Sequence, residues 1–331
     1  MFVVVEIEEI MKLAPIVLFV YNRPDHTLRT LQALQCNTLA SQSTLHIFAD
    51  GPKENASAAL LDKIKAVRDV ISAEKWCGEV VMHASETNKG LYRSVREGVT
   101  EILEQYGRVI VMEDDLQTSP AFLAYMNQAL DFYEARKSVF SISGYNYPAS
   151  KMQIPTDYPY DTYVSLRNAS WGWATWKDRW EQVDWDVKVY ERVKTTPVLK
   201  EALNRMGDDE FEMLQMQQEG KLNIWSIQFT MAHYVNHAVA IYPMVSYVHN
   251  IGNDGSGENC GATSALDNVL LSQNEQPRLV DILYEDSRLI NAFYNVNCRK
   301  KRPLWQKTIN FIARKLGKQA PFVIKKKVYN F

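Results

Sequence analysis

The residues of this chain best suited to chemistry are three consecutive acids, Glu113, Asp114 and Asp115. They follow Val109-Ile110-Val111-Met112, four apolar residues that read as a buried strand of a parallel sheet. Carboxylates grouped at one strand end repel one another unless a positive charge sits among them. A divalent metal ion carrying a phosphorylated ligand meets that need, because hard cations take oxygen ligands and bridge to phosphate. The alternative is that the acids cap the next helix. Ser119-Pro120 already offers that helix an N-cap and a first-turn proline, four or more residues later.

Other polar residues sit at equivalent places. Pro15 to Tyr21 reads as a buried first strand running into Asn22-Arg23, and Leu45 to Ala49 as a second ending in Asp50-Gly51-Pro52. Leucines at 28, 31 and 34 predict a helix over 27–35. Leu60, Leu61, Ile64, Val67 and Ile71 make one apolar helix face. Glu79 to His83 is a third strand, 91–106 a helix, 120–135 a helix, and Val139 to Ser143 a fifth strand. Strands alternating with helices predict a mostly parallel α/β sheet. Ligands of such sheets bind beyond the carboxyl ends of the strands. Tyr21-Asn22-Arg23, Asp50 and the acid triplet are therefore expected to converge on one crevice.

Beyond residue 145 the pattern changes. Tyr145 to Tyr163 is rich in Tyr, Pro and Asp. Trp171-Gly172-Trp173 should lead into a helix ending near Val183. A polar helix is expected over 208–219, another over 225–236 and a late strand over 238–242. Residues 251–262 are glycine-rich and expected to be mobile.

Composition narrows the class. The chain has 331 residues, 46% of them apolar, enough for a sizeable core. Cys36, Cys77, Cys260 and Cys298 lack metal-type spacing and read as reduced thiols. No apolar run is long enough to span a membrane. Residues 1–10 hold three glutamates and no Lys or Arg, unlike a secretory signal, and Met11 is a candidate start. Residues 299–331 hold eleven Lys or Arg and no acid; the rest keeps 26 of the 37 basic residues against 39 acids, a net of −13. A basic tail on an acidic body suits an anionic surface. Leu304, Trp305, Ile309, Phe311, Ile312 and Leu316 could form an amphipathic helix there, either as an interfacial anchor on anionic lipid or packed on its own acidic body. Nucleic acid is not an expected partner, since the body is acidic and has no recognition motif.

Taken together, the segments resemble a family. A first strand ending in Asn22-Arg23, a second ending in Asp50, Asn88-Lys89-Gly90-Leu91 before a helix and a strand ending in Glu113-Asp114-Asp115 resemble the nucleotide-sugar half of a GT-A glycosyltransferase. The likeness is to the N-acetylglucosaminyltransferase I type and related bacterial sugar transferases. Trp171-Gly172-Trp173, Trp225 opening a helix, and residues 245–252 extend it, so that it covers roughly 14–260.

The resemblance implies a Rossmann-like, mostly parallel sheet flanked by helices, with an acceptor-side extension. It implies a metal (Mn²⁺ or Mg²⁺) on Asp115 bridging the phosphates of a nucleoside diphosphate-sugar, with UDP the expected nucleotide. Asp114 would face the ribose or sugar, Glu113 would support that edge, Asp50 would accept from the base, and Arg23 would reach the ribose or diphosphate. Tyr21 and Asn22 border the same strand end. Asn88, Lys89, Gly90 and Arg93 read either as a plain helix start or as nucleotide contacts. Gly90 would allow close backbone approach, and Arg93 opposes the helix dipole unless a ligand pairs with it. Trp173 is either core or an aromatic floor for a sugar. Asp254 and Ser256 belong to a flexible loop that in the family orders over the diphosphate. His249 is either structural or a second metal or phosphate contact. The base is the departure: where the family has an Asp after its tryptophan, this chain has Ser226. Asp209 and Asp208, then Glu210 or Asp254, are the substitutes.

The expected protein is thus a GT-A-like domain over 12–298, with a nucleotide-sugar half (12–145) and an acceptor half (146–298), plus a basic helical tail (299–331). The expected activity is metal-dependent transfer, with inversion, from a UDP-sugar to a glycan or glycolipid in surface polysaccharide or lipopolysaccharide synthesis. The setting is cytoplasmic, or peripheral on the inner face of the cytoplasmic membrane. A sugar nucleotidyltransferase and a non-catalytic nucleotide-sugar-binding relative remain as alternatives.

Overall fold

A run of five apolar residues needs cover on both faces, and Ile16–Val20 is such a run with every residue buried. It forms β1 in the computed structural model, which describes residues 12–255 and 270–298. Four strand–helix steps follow: α1 (Pro24–Gln35), β2 (Thr44–Ala49), α2 (Ala58–Ser72), β3 (Glu79–Ala84), α3 (Leu91–Tyr106), β4 (Arg108–Glu113), β5 (Leu116–Thr118), α4 (Phe122–Tyr133) and β6 (Val139–Ser143). The second half adds β7 (Thr162–Ser165), β8 (Trp173–Trp176), α5 (Lys177–Trp180), α6 (Tyr190–Thr195), α7 (Pro197–Leu203), α8 (Glu210–Gln218), α9 (Ser226–Val235), β9 (Val239–Pro243), β10 (Val248–Asn250) and α10 (Ser287–Asn297).

The main sheet has the order β3-β2-β1-β4-β8-β6-β9-β7. The first four strands are mutually parallel, as the alternation predicted. Strand β8 is antiparallel to both β4 and β6, and β7 is antiparallel to β9, which itself runs parallel to β6. Every strand except β7 and β8 therefore points the same way. The two faces of β1 feed two cores. Ile16, Leu18 and Val20 pack with Leu31, Leu34 and Met126, whereas Val17 and Phe19 pack with Val95, Val99, Trp173 and Trp225. Strands β5 and β10 make a separate antiparallel ladder beside the sheet.

Several expectations need correction. Helix α4 starts at Phe122 with Ala121 at its N-cap, not at Ser119-Pro120. The acids still do not cap it, because β5 lies between. Trp173 to Trp176 is a strand, and the helix after it is a single turn that stops short of Val183. A tryptophan-rich segment fits a strand buried on both faces equally well. On α2, Ile64, Val67 and Ile71 are buried, whereas Leu61 is 46% exposed. Helices α6, α7 and α10 were not foreseen. Cys36, Cys77 and Cys298 are free thiols, and burial pushes Cys77 up to about 12. Among the described residues no helix is long and apolar enough to cross a membrane. Cys260, Ser256 and the basic tail lie outside the described residues.

Candidate active site

The carboxyl ends of β1, β2 and β4 open into one cavity of 160 Å³. Tyr21, Asn22 and Arg23 line it from β1, Asp50 and Lys53 from β2, Asn88 and Gly90 from the turn before α3, and Glu113, Asp114 and Asp115 from β4. The second half closes it with Ser170, Ile224, Trp225 and Ser226. The convergence expected from strand ends is therefore present. Lys53, Ser94, Ser170 and Ile224 had no sequence signal of their own; they are brought in by loop paths.

Arg23 organises the acid cluster. Its guanidinium bonds Asp114 and lies 3.0 Å from Asp115 Oδ2. Burial pulls Arg23 down, but Asp114 and Asp115 more than reverse this and leave it raised. Burial pushes Asp114 up to about 6, with Arg23 opposing and Asp115 adding. Burial, then the charges of Asp115 and Asp114, raise Glu113 well above the usual carboxylate range. The Thr30 hydroxyl donates to the Asp114 carbonyl at 2.9 Å, which pins the turn to α1.

Residues after β10 border the same cluster. The Ile251 amide donates to the Asp115 carbonyl at 2.8 Å. Asp254 pairs with His26 at 3.2 Å, on the first turn of α1. His249 faces Gln117 across the β5–β10 ladder and is not among the cavity-lining residues.

Asp50 is fully engaged. Oδ1 accepts from the Gly51 and Lys89 amides, both at 2.8 Å; Oδ2 accepts from the Gly90 amide and the Asn88 side chain, both at 2.9 Å. Four donors saturate a carboxylate. Asp50 thus clamps residues 88–90 to the end of β2, and a base seeking it must displace one of these donors. Gly90 takes φ +73 at the N-cap of α3, with open space where a side chain would begin. Backbone conformation, not close approach, requires glycine there.

Five expected contacts are placed elsewhere. Lys89 and Arg93 both pair with Glu97 on the outside of α3, and Arg93 does not line the cavity. An i,i+4 partner, rather than a ligand, resolves its conflict with the helix dipole. Trp173 is 1% exposed, its ring 4.9 Å from Trp225 and 5.6 Å from Trp180, so it is core. Gly172 leaves no room for a ligand either: at φ +62 an added Cβ would sit 2.9 Å from Val248. Asp209 is buried in a two-point pair with Arg167 at 2.9 and 3.3 Å and does not line the cavity. Its half-buried neighbour Asp208 does not line it either.

Residues 2–191, more than half of the chain, match the GNT-I family. The chain belongs to the GNT-I family. That membership bears out the resemblance expected from the sequence. This GNT-I family chain is 24% identical over 191 residues to the alpha-1,3-mannosyl-glycoprotein 2-beta-N-acetylglucosaminyltransferase of Arabidopsis thaliana. The alignment takes in 53% of this chain and 42% of that protein, so it spans less than half of the relative's length. Looser structural likeness is found to S. aureus TarS 1-349 (12% identity, TM-score 0.38, 72% of this chain and 60% of that one). A further one is found to mouse xyloside xylosyltransferase 1 in its apo form (11%, TM-score 0.30, 66% and 80%).

The donor set suits a hard divalent ion. Among the described residues no group of three or more His, Cys, Asp or Glu side chains is placed to hold a metal ion by itself. Ions such as Mg²⁺ commonly take one or two carboxylates and complete their shell with ligand phosphates and water. Asp114 and Asp115 already converge on one cationic group, the Arg23 guanidinium.

Proposed function

We propose that this chain is a metal-dependent glycosyltransferase that moves a sugar from a nucleoside diphosphate donor, with UDP the expected nucleotide, to a glycan acceptor. The single observation that carries the reading is the meeting of Arg23, Asp50 and Glu113-Asp114-Asp115 in one cavity at the carboxyl ends of parallel strands. Family membership supports it. Residues 12–298 serve as one GT-A-like unit, with the donor bound by 12–145 and the acceptor met by 146–298. The tail over 299–331 serves as a peripheral contact with an anionic membrane on the cytoplasmic side, which suits a lipid-carried surface glycan as acceptor.

Transfer breaks the bond from the anomeric carbon to the diphosphate and forms one to the acceptor oxygen. Negative charge grows on the leaving phosphate, and an acceptor proton must be removed. Asp115 and Asp114 would hold a divalent ion, which when bound would supply Lewis-acid stabilisation of that charge. Arg23 adds a fixed cation with a fork suited to phosphate oxygens. Asn88, Gly90 and Asp50 shape the nucleotide side. Trp225 and Ser226 form the wall toward the acceptor. The resemblance supports inversion.

Removal of the acceptor proton favours a second reading. Ser226 lines the cavity where the family has a carboxylate, and Asp209 is committed to Arg167. A donor-binding relative without turnover would look the same at these positions.

Calorimetric titration of UDP, GDP and CDP with and without Mn²⁺ tests both readings. One diphosphate should bind in a Mn²⁺-dependent way, and Asp115→Ala should weaken it by about a hundredfold or more. No binding of any of the three to a folded protein would overturn the proposal. Binding without hydrolysis or transfer of any sugar nucleotide would favour the non-catalytic relative.

A further inference from the structure

The chain between α5 and α6 takes a strained path beside the cavity. Val187 has φ +47 and is 2% exposed. A β-branched residue rarely adopts this left-handed conformation, so its surroundings must hold it there. Asp184 does so. Its side chain accepts from the Asp186 amide at 3.2 Å and the Lys188 amide at 2.8 Å, and its carbonyl accepts from the Val187 amide at 3.1 Å. Val187 is buried with Leu214 and Ile227. Two residues earlier, Trp185 packs on a different core, against the first two turns of α3. The strained turn thus fixes a half-buried tryptophan on the rim of the other core.

Trp185 makes a corner with Tyr92. The two rings are half-buried and stand 6.0 Å apart at 81°. The exposed Arg96 holds its guanidinium 5.1 Å from the Trp185 ring centre and reaches the Tyr92 hydroxyl. The exposed Asp186 brings its charge to the same hydroxyl. This corner adjoins the cavity on two sides. Leu91, next to Tyr92 on α3, lines the cavity. Trp225 lines it too, and its ring is 6.4 Å from Trp180, which is 5.1 Å from Trp185.

The chemistry of the corner suits a pyranose. The C–H face of such a ring is apolar and stacks on an indole or phenol. Its hydroxyls accept from a guanidinium and donate to a carboxylate. One cation and one anion at the rim leave no net charge to be matched, which favours a neutral saccharide. Trp, Tyr and Arg are also the side chains that most often carry binding energy at a contact surface.

We propose that Trp185, Tyr92, Arg96 and Asp186 form a docking surface for the acceptor saccharide, holding a sugar unit next to the one whose hydroxyl reacts in the cavity. This rests on the glycan-acceptor reading of the cavity and adds where the acceptor is held.

The test is saccharide binding to the full chain in the absence of nucleotide and metal. The probes are maltose, cellobiose, lactose and N,N′-diacetylchitobiose, followed by saturation-transfer NMR and tryptophan fluorescence. At least one should bind with millimolar affinity. Trp185→Ala should weaken that binding by about tenfold or more. Trp185→Phe keeps an aromatic face and should retain most of it. Arg96→Ala, at an exposed position, should weaken it severalfold. Binding of none of the four to the folded wild type would overturn the proposal. So would unchanged affinity in a folded Trp185→Ala protein or, should that variant fail to fold, in Arg96→Ala. Because Mn²⁺ and UDP are left out, failure of the donor reading does not touch this result. Failure here leaves Mn²⁺-dependent UDP binding where it stands.

Discussion

Glu210 shows what burial does to a single residue. It is 2% exposed, with Arg167 Nε 3.4 Å away and already engaged by Asp209. Burial pushes Glu210 up to about 8; Arg167 opposes this and Asp209 adds to it. The folded protein therefore holds this proton across a range in which the unfolded chain has released it. Stability falls as pH rises from the ordinary glutamate range to about 8, then levels off with respect to this group. Glu210→Gln has no such proton to lose. Its stability gain over wild type should be small at pH 5 and reach roughly 2–4 kcal/mol at pH 8. Thermal or urea unfolding at both pH values would show it, and a gain that does not grow with pH would count against burial as the cause. Lone residue types could not reveal this. Asp208, Asp209 and Glu210 are equivalent acids in the sequence, and only Arg167, about forty positions earlier in the chain, distinguishes them.

At the level of elements, the turn into α3 is held by one carboxylate. Asp50 accepts from three backbone amides and from Asn88. Asp50→Ala leaves those donors without their acceptor and should cost roughly 2–3 kcal/mol. Urea unfolding measures the loss. Hydrogen exchange at the Lys89 and Gly90 amides should speed up in the variant, and unchanged exchange would show that the clamp is not needed. The strands and helices up to β6, the short β5 apart, were legible because apolar runs and helical spacing are local signals. The second half was less so. Trp171 to Trp176 read as a helix approach because a strand inserted antiparallel between β4 and β6 has no local marker. For Arg93 and Trp173 the ligand reading stayed open because Glu97 and the indoles around Trp173 were not yet in place as their partners.

For the whole molecule, charge is the argument. An acidic body and a tail of eleven cations should behave differently toward anionic lipid. The full chain should sediment with vesicles containing phosphatidylglycerol, and release should follow as salt rises, since the Debye length shrinks to about 3 Å at 1 M. Removing 299–331 should abolish sedimentation. Retention by the shortened protein would move the contact to the body.

By itself, the sequence determined the alternation that makes a parallel α/β sheet, the strand ends that carry Arg23, Asp50 and Glu113-Asp114-Asp115, and the likeness to the GNT-I family. These depend on periodicity and on short motifs, which neighbours along the chain establish. Tertiary structure alone decided which charges are already paired: Arg23 with Asp114 and Asp115, Arg167 with Asp209, Arg93 with Glu97. It also placed β8 between β4 and β6 and buried Trp173 there. Pairing and burial are relations between distant segments, and electrostatics falls off with separation in space rather than in sequence.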